Sequence, residues 1–170
     1  MTATRRAGLD LISHSSRQTK ELGAAIARKL GPGDLILLSG GLGSGKTTFI
    51  QGLATGLAVD DIVSSPTFTL VSEYEGKAEA GPIRLHHIDL YRLEGEDDLY
   101  SIGLDELLED RNAICAIEWP QRATSILPEA WLLIELEPIA DTKRRIRFIG
   151  RGERYLDLVS ELRAEAGRGR

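Results

Sequence analysis

From Leu35 to Leu57 the chain reads LILLSGGLGSGKTTFIQGLATGL, and few folds accept such a run. Leu35 to Ser39 is a short continuous apolar stretch, the mark of a strand buried on both faces of a sheet. KTTFIQGLATGL has the character of an apolar helix. Between them, Gly40 to Phe49 hold four glycines, one lysine and two threonines. Glycine orders at a higher entropic cost than any other residue, so this loop implies backbone brought close to something. Gly40, Gly45, Lys46 and Thr47 satisfy the phosphate-loop pattern G-x-x-x-x-G-K-[ST]. Backbone N–H groups from Gly43, Ser44, Gly45, Lys46 and Thr47 would point at phosphate oxygens, helped by the positive end of the helix. Lys46 would reach the β and γ phosphates as a point charge, facing solvent when no ligand is bound. The Thr47 hydroxyl would hold magnesium. The competing reading is a flexible turn before a helix, in which Lys46 has no purpose.

The flanking chain supplies the layers. A serine start and apolar residues Leu22, Ala25, Ile26 and Leu30 predict a helix from Arg17 to Leu30, closed by Gly-Pro-Gly. No element is assigned before Arg17. TFTLVSEYEG alternates, IRLHHIDLYRL contains a strand, and NAICAIEWP is a buried strand stopped by Pro120. EGEDDLYSIGLDELLED predicts two short acidic helices broken at Gly103. AWLLIELEP and KRRIRFIG predict two later strands, and YLDLVSELRAEAG a closing helix. This alternation predicts an α/β, phosphate-loop NTPase-like layered fold, with a mostly parallel, mixed sheet flanked by helices. Residues 1–170 suit a single phosphate-loop domain.

Two further strands end in carboxylates, Asp89 after RLHHI and Glu118 after AICAI. Ligands of open α/β sheets bind beyond the carboxyl ends of the strands, so Gly40, Asp89 and Glu118 should meet at one edge. An apolar run ending in Asp is the usual Walker B form, binding magnesium directly or through water. Glu118 would ligate magnesium or orient the attacking water. Helix caps or solvated strand ends are the bland alternatives. SSPTFTLV, Ser64 to Val71, occupies the interval where switch proteins order a segment on γ-phosphate, with Thr67 as its hydroxyl donor or, more plainly, a proline turn. His86 and His87 are strand neighbours, so they face opposite ways and do not form a zinc site. One of them suits the core or a place behind the site.

The net charge of −5 argues against a dedicated nucleic-acid binder. It is uneven: residues 143–170 carry +5, and the rest −10. The basic stretch KRRIRFIGRGERY would face an acidic partner, RNA or nucleotide phosphates, or else is a solvated strand and helix end. No apolar run approaches membrane-span length and no signal peptide is evident, which favours a cytoplasmic protein. Cys115 is the single cysteine and has no internal partner.

On GLGSGKTTF, SPTFTLV, HIDLYRL, the acidic GLDE segment and IEWPQR, in that order and spacing, the chain resembles the TsaE (YjeE) family. The resemblance runs from TKELG to Leu127 and is weak beyond it. Members usually carry Asp where Gly41 stands, a departure that bears on local hydrogen bonding. The resemblance implies a cytoplasmic ATP hydrolase of the tRNA N6-threonylcarbamoyladenosine machinery. Its partners would be TsaB and TsaD, which modify adenosine 37, with tRNA met only through that complex. It implies ATP/ADP and Mg2+ as cofactors and weak hydrolysis that becomes active with the partner proteins. Carried over by position, Lys46, Thr47 and Thr48 belong to the nucleotide loop. Thr47 and Glu118 would be magnesium ligands, Asp89 the Walker B acid, and Trp119 a functionally sensitive neighbour. Ser16 matches a position near adenine, and Lys143 or Arg144 would close over the nucleotide. A GTPase would need Asn-Lys-x-Asp, whereas the one asparagine is Asn112. A small kinase, with KRRIR as its lid, and a non-hydrolysing nucleotide-dependent adaptor are the alternatives.

Overall fold

The computed structural model describes residues 6–66 and 69–169. The elements in chain order are β1 (Arg6–Ser13), α1 (Ser16–Ala27), β2 (Leu35–Ser39), α2 (Lys46–Gly56), β3 (Val71–Ala78) and β4 (Gly81–Asp89). They continue with α3 (Glu96–Ser101), α4 (Leu104–Glu109), β5 (Ala113–Glu118), β6 (Trp131–Pro138), β7 (Arg144–Arg151) and α5 (Glu153–Arg168). A single 3₁₀ turn, Pro120–Ala123, follows β5. The strands form one seven-stranded sheet in the order β1-β7-β6-β2-β5-β4-β3. The four central strands β6-β2-β5-β4 are parallel, and both edges are antiparallel. The expected mixed α/β sheet is therefore present, with its parallel part in the centre.

Buried central strands explain why their sequences do not alternate in polarity. Ile36 and Leu38 of β2, with Ile114 and Ala116 of β5, face a core shared with α1, α2 and α5. Leu35, Leu37, Cys115 and Ile117 face a second core roofed by Leu99 and Leu104 of α3 and α4. Burial pushes the Cys115 thiol up to about 12, so it is a core residue and not a nucleophile. Helix α1 packs on α2 with its backbone nearly touching, because a Cβ at Gly52 would strike the Lys20 carbonyl.

Two boundaries differ from the sequence expectation. Helix α1 begins one residue early, capped by Ser15, whose Oγ accepts from the Gln18 N–H at 3.1 Å. It stops at Ala27 because the next residues tighten, with Lys29 N–H donating to Ile26 O and Leu30 N–H to Ala27 O. Strand β1 is an element the sequence did not announce. Gly8 and Asp10 weaken its pattern, and it forms by pairing antiparallel along β7 from Arg6↔Arg151 to Ser13↔Arg144.

Candidate functional site

The carboxyl ends of three adjacent strands converge as expected. Leu38 of β2 is level with Glu118 of β5, and Glu118 is level with Asp89 of β4. The phosphate loop leaves β2 at Gly40. A Cβ there would lie 2.5 Å from Ser44 Oγ and 2.6 Å from Leu136 O, so only glycine fits the turn. Gly45 then enters α2 with φ of 104° and offers no side-chain cap. The first N–H groups of α2 are left to whatever sits in the loop, and the positive end of the helix suits an anion.

Around this loop lies a cleft of about 470 Å³. It is lined by Gly43, Ser44, Gly45, Lys46, Thr47 and Thr48 from the loop and helix. Asp89, Glu118 and Trp119 line the strand side, Ser16 lies at the start of α1, and Arg144 at the start of β7. Lys143, the alternative to Arg144, is not among its walls. Thr67 lies outside the described residues.

Lys46 corrects one expectation. It does not face solvent: only 5% of it is exposed. Its ammonium donates to Gly40 O and Gly41 O, each at 2.7 Å, and sits 4.6 Å from the centre of the Trp119 ring. The loop folds back over its own lysine, so the chain that supplies the cation also positions it. Burial lowers the Lys46 pKa below 10.5, while the charges of Glu118 and Asp89 hold it up. The Gly41 carbonyl takes part in this grip, so a glycine in place of the usual Asp leaves the backbone contact intact.

Both carboxylates are buried, and each has one well-defined partner set. Glu118 Oε1 lies 3.4 Å from Thr47 Oγ1, and Oε2 lies 2.8 Å from His87 Nε2. Asp89 Oδ2 accepts from Ser65 Oγ at 3.1 Å, and Oδ1 from the Tyr91 N–H at 3.0 Å. A carboxylate has about four lone pairs, so both acids keep acceptor capacity towards the cleft. Trp119 holds a left-handed backbone, φ 60° and ψ 51°, unusual for a bulky residue. This turn lays the indole against Lys46 and against Tyr91, ring centres 4.9 Å apart.

Arg144 is a brace more than a lid. Its guanidinium donates to Ser44 O at 3.1 Å and Gly43 O at 3.4 Å, and also to Ala140, Asp141 and Lys143 carbonyls. It ties the β6–β7 hairpin to the phosphate loop. The two histidines do face opposite sides: His86 bonds Asp110 at 2.9 Å, and His87 bonds Glu118. Among the described residues no cluster of three metal-binding side chains occurs.

Sequence reasoning missed Ser65, Tyr91 and the role of His87. Tyr91 and His87 sit two residues either side of Asp89. Strand alternation puts His87 on the same face as Asp89, a signal that was available. Ser65 was hidden because its segment offers four hydroxyls, and only folding brings Ser65 to Asp89.

A family model described as Threonylcarbamoyl adenosine biosynthesis protein TsaE matches residues 13–146. The tRNA threonylcarbamoyladenosine biosynthesis protein TsaE of Treponema pallidum is 38% identical over 135 residues, 79% of this chain and 96% of that one. Its counterpart in Bacillus subtilis is 39% identical over 145 residues, 85% and 87% of the two chains. A crystal structure of Bacillus subtilis YdiB superposes with a TM-score of 0.79 at 32% identity, covering 96% of this chain and 99% of that one. Likeness in both sequence and fold thus extends far beyond the phosphate loop, and the chain belongs to the TsaE family.

Proposed function

We propose that the chain, over residues 1–170, is one ATPase domain that supports tRNA threonylcarbamoyladenosine formation at position 37. It would assist turnover of a TsaB–TsaD transferase complex in the cytoplasm and meet tRNA through that complex. No described helix is long and apolar enough to cross a membrane, which agrees with this reading. The observation that carries it is the meeting of Lys46, Thr47, Asp89 and Glu118 in one cleft.

The residues fit Mg2+ as well as nucleotide. Thr47 Oγ1 and Glu118 Oε1 are 3.4 Å apart, near the roughly 3 Å between neighbouring oxygens on an octahedral magnesium. Thr47, Glu118 and Asp89 would hold the ion, which supplies charge neutralisation at the phosphates. The amides of Gly43 to Thr48 cradle the phosphates. Lys46, already held between Gly40 O, Gly41 O and the indole, presents fixed positive charge where negative charge develops. Water orientation, the other role open to Glu118, would need the same cleft-facing oxygen. Ser16 and Arg144 flank the nucleoside end. The kinase alternative loses support because its lid is engaged elsewhere: Arg144 braces the loop, Arg145 pairs with Glu137 and Arg147 with Asp10.

Single-turnover ATP hydrolysis, measured with and without TsaB and TsaD, tests this reading. Lys46→Ala should lose hydrolysis by on the order of 100-fold or more. It should still fold, with the thermal stabilisation that nucleotide gives the wild type lost. Wild-type turnover in that variant would defeat the assignment, and absence of hydrolysis by the wild type with both partners would favour the adaptor.

A further inference from the structure

His87 is fully buried on β4, near the carboxyl end of the strand. Its Nε2 lies 2.8 Å from Glu118 Oε2, while its Nδ1 touches neither water nor a hydrogen-bond partner. A carboxylate can only accept, so Nε2 carries the proton and donates. A buried imidazole with one polar contact leaves that contact as the ring's defined polar role. The other Glu118 oxygen, Oε1, is the one turned towards Thr47. Glu118 ends β5, and its side chain has several torsions that would otherwise let the two oxygens exchange places. The bond to a fully buried ring removes that freedom.

We propose that His87 is a positioning residue: its Nε2–H holds Glu118 Oε2 so that Oε1 is presented beside the Thr47 hydroxyl for a divalent cation on the nucleotide phosphates. This rests on the proposed function, because it needs Glu118 to meet the cation. A partner behind a metal ligand that fixes its orientation typically changes metal affinity by tenfold or more when removed. The role requires reach as well as polarity. Gln at this position places an N–H near the Nε2 site, whereas Asn stops about one bond short.

The experiment measures ATP binding by titration calorimetry across a magnesium series, and ADP binding in chelator, for wild type, His87→Gln and His87→Asn. The expected result is a magnesium half-saturation raised about tenfold in His87→Asn and returned to within about threefold of wild type in His87→Gln. Metal-free ADP binding should be equal in all three. Should His87→Asn fail to fold, His87→Phe, which keeps a ring and lacks the donor, takes its place. An unshifted magnesium requirement in the donor-less variant overturns the role of His87 alone. An equal shift in the Gln and donor-less variants overturns it as well. A wild type whose ATP binding ignores magnesium overturns the metal assignment at Glu118 and the role of His87 with it.

Discussion

The acidic cap and the basic C-terminal stretch carry opposite charge and solve it in opposite ways. Residues 94–110 hold eight acids and no Lys or Arg. Of these, Asp110 alone forms an ion pair among the described residues, with Arg84, and it also hydrogen-bonds His86. The basic stretch is instead partly neutralised by folding. Arg145 pairs with Glu137, Arg147 with Asp10 and Glu135, and Arg154 with Asp34. A sheet brings distant residues side by side, so cations of β7 find acids on β1 and β6. Short helices bring together only near neighbours, and those are also acids. Lys143, Arg144 and Arg151 have no acid partner among the described ion pairs, so the stretch keeps part of its positive charge.

Breaking the paired region should have the largest effect. Asp34 is buried, accepts from the Gly31 N–H at 2.8 Å and takes Arg154 at 2.9 Å. Asp34→Ala leaves an amide and a guanidinium without their acceptor, and should cost about 2 kcal/mol in urea unfolding. A loss below about 0.5 kcal/mol would show that the pairing is only a surface feature.

Next in size is the cap as a docking face. Leu99 and Leu104 are fully buried beneath it and turn the acids outward. Asp98 has a separate duty, since its Oδ2 accepts from the Glu94 and Gly95 N–H groups at 3.1 and 3.3 Å. The variant should therefore be Glu96→Lys with Asp97→Lys, leaving Asp98 in place. Association with a TsaB–TsaD complex, followed by stopped flow, should slow by roughly tenfold at low salt and lose its salt slope. ATP affinity should stay as in wild type. An unaltered on-rate and slope would remove the cap from the interface.

Asp110 sharpens the comparison because it is the exception. Its hydrogen bond to His86, with help from the Asn112 N–H and Arg84, lowers its pKa below 3.8. The folded state thus binds that proton less readily than the unfolded chain. The resulting stability is complete above the usual carboxylate pKa and is lost as pH falls below it, through the lowered folded value. Asp110→Asn should remove that part of the acid limb in pH-dependent melting, and an unchanged limb would show that the His86 contact adds nothing. The smallest effect belongs to the exposed pair: Arg145→Glu combined with Glu137→Arg should change stability by less than about 0.5 kcal/mol. A larger loss in unfolding titrations would mean that the β6–β7 face is packed more tightly than its exposure suggests.

These contrasts show what could be read before folding. The strand–loop–helix run and the apolar stretches ending in Asp89 and Glu118 are local patterns, and local patterns carry strand position and buried faces directly. Gly103 likewise marks the break between the two acidic helices, with φ of 71°. What escaped depended on distant partners. Strand β1 exists because β7 lies beside it, Ser65 matters because Asp89 reaches it, and Arg144 is a brace because two carbonyls lie a hundred residues away. The burial of Lys46 belongs to the same class, since its cover is Trp119 from another strand end.

The two tryptophans sit at opposite ends of the parallel sheet, Trp119 beyond the carboxyl end of β5 and Trp131 at the amino end of β6. Indole emission responds to charge and water beside the ring. Trp119 rests on the ammonium that phosphate would draw upon, while Trp131 packs on the second core with Arg151 5.8 Å away. One fluorophore thus reports on loop occupancy and the other stays as an internal standard in the same cuvette. The protein carries its own optical gauge of nucleotide binding, calibrated by the far end of its sheet.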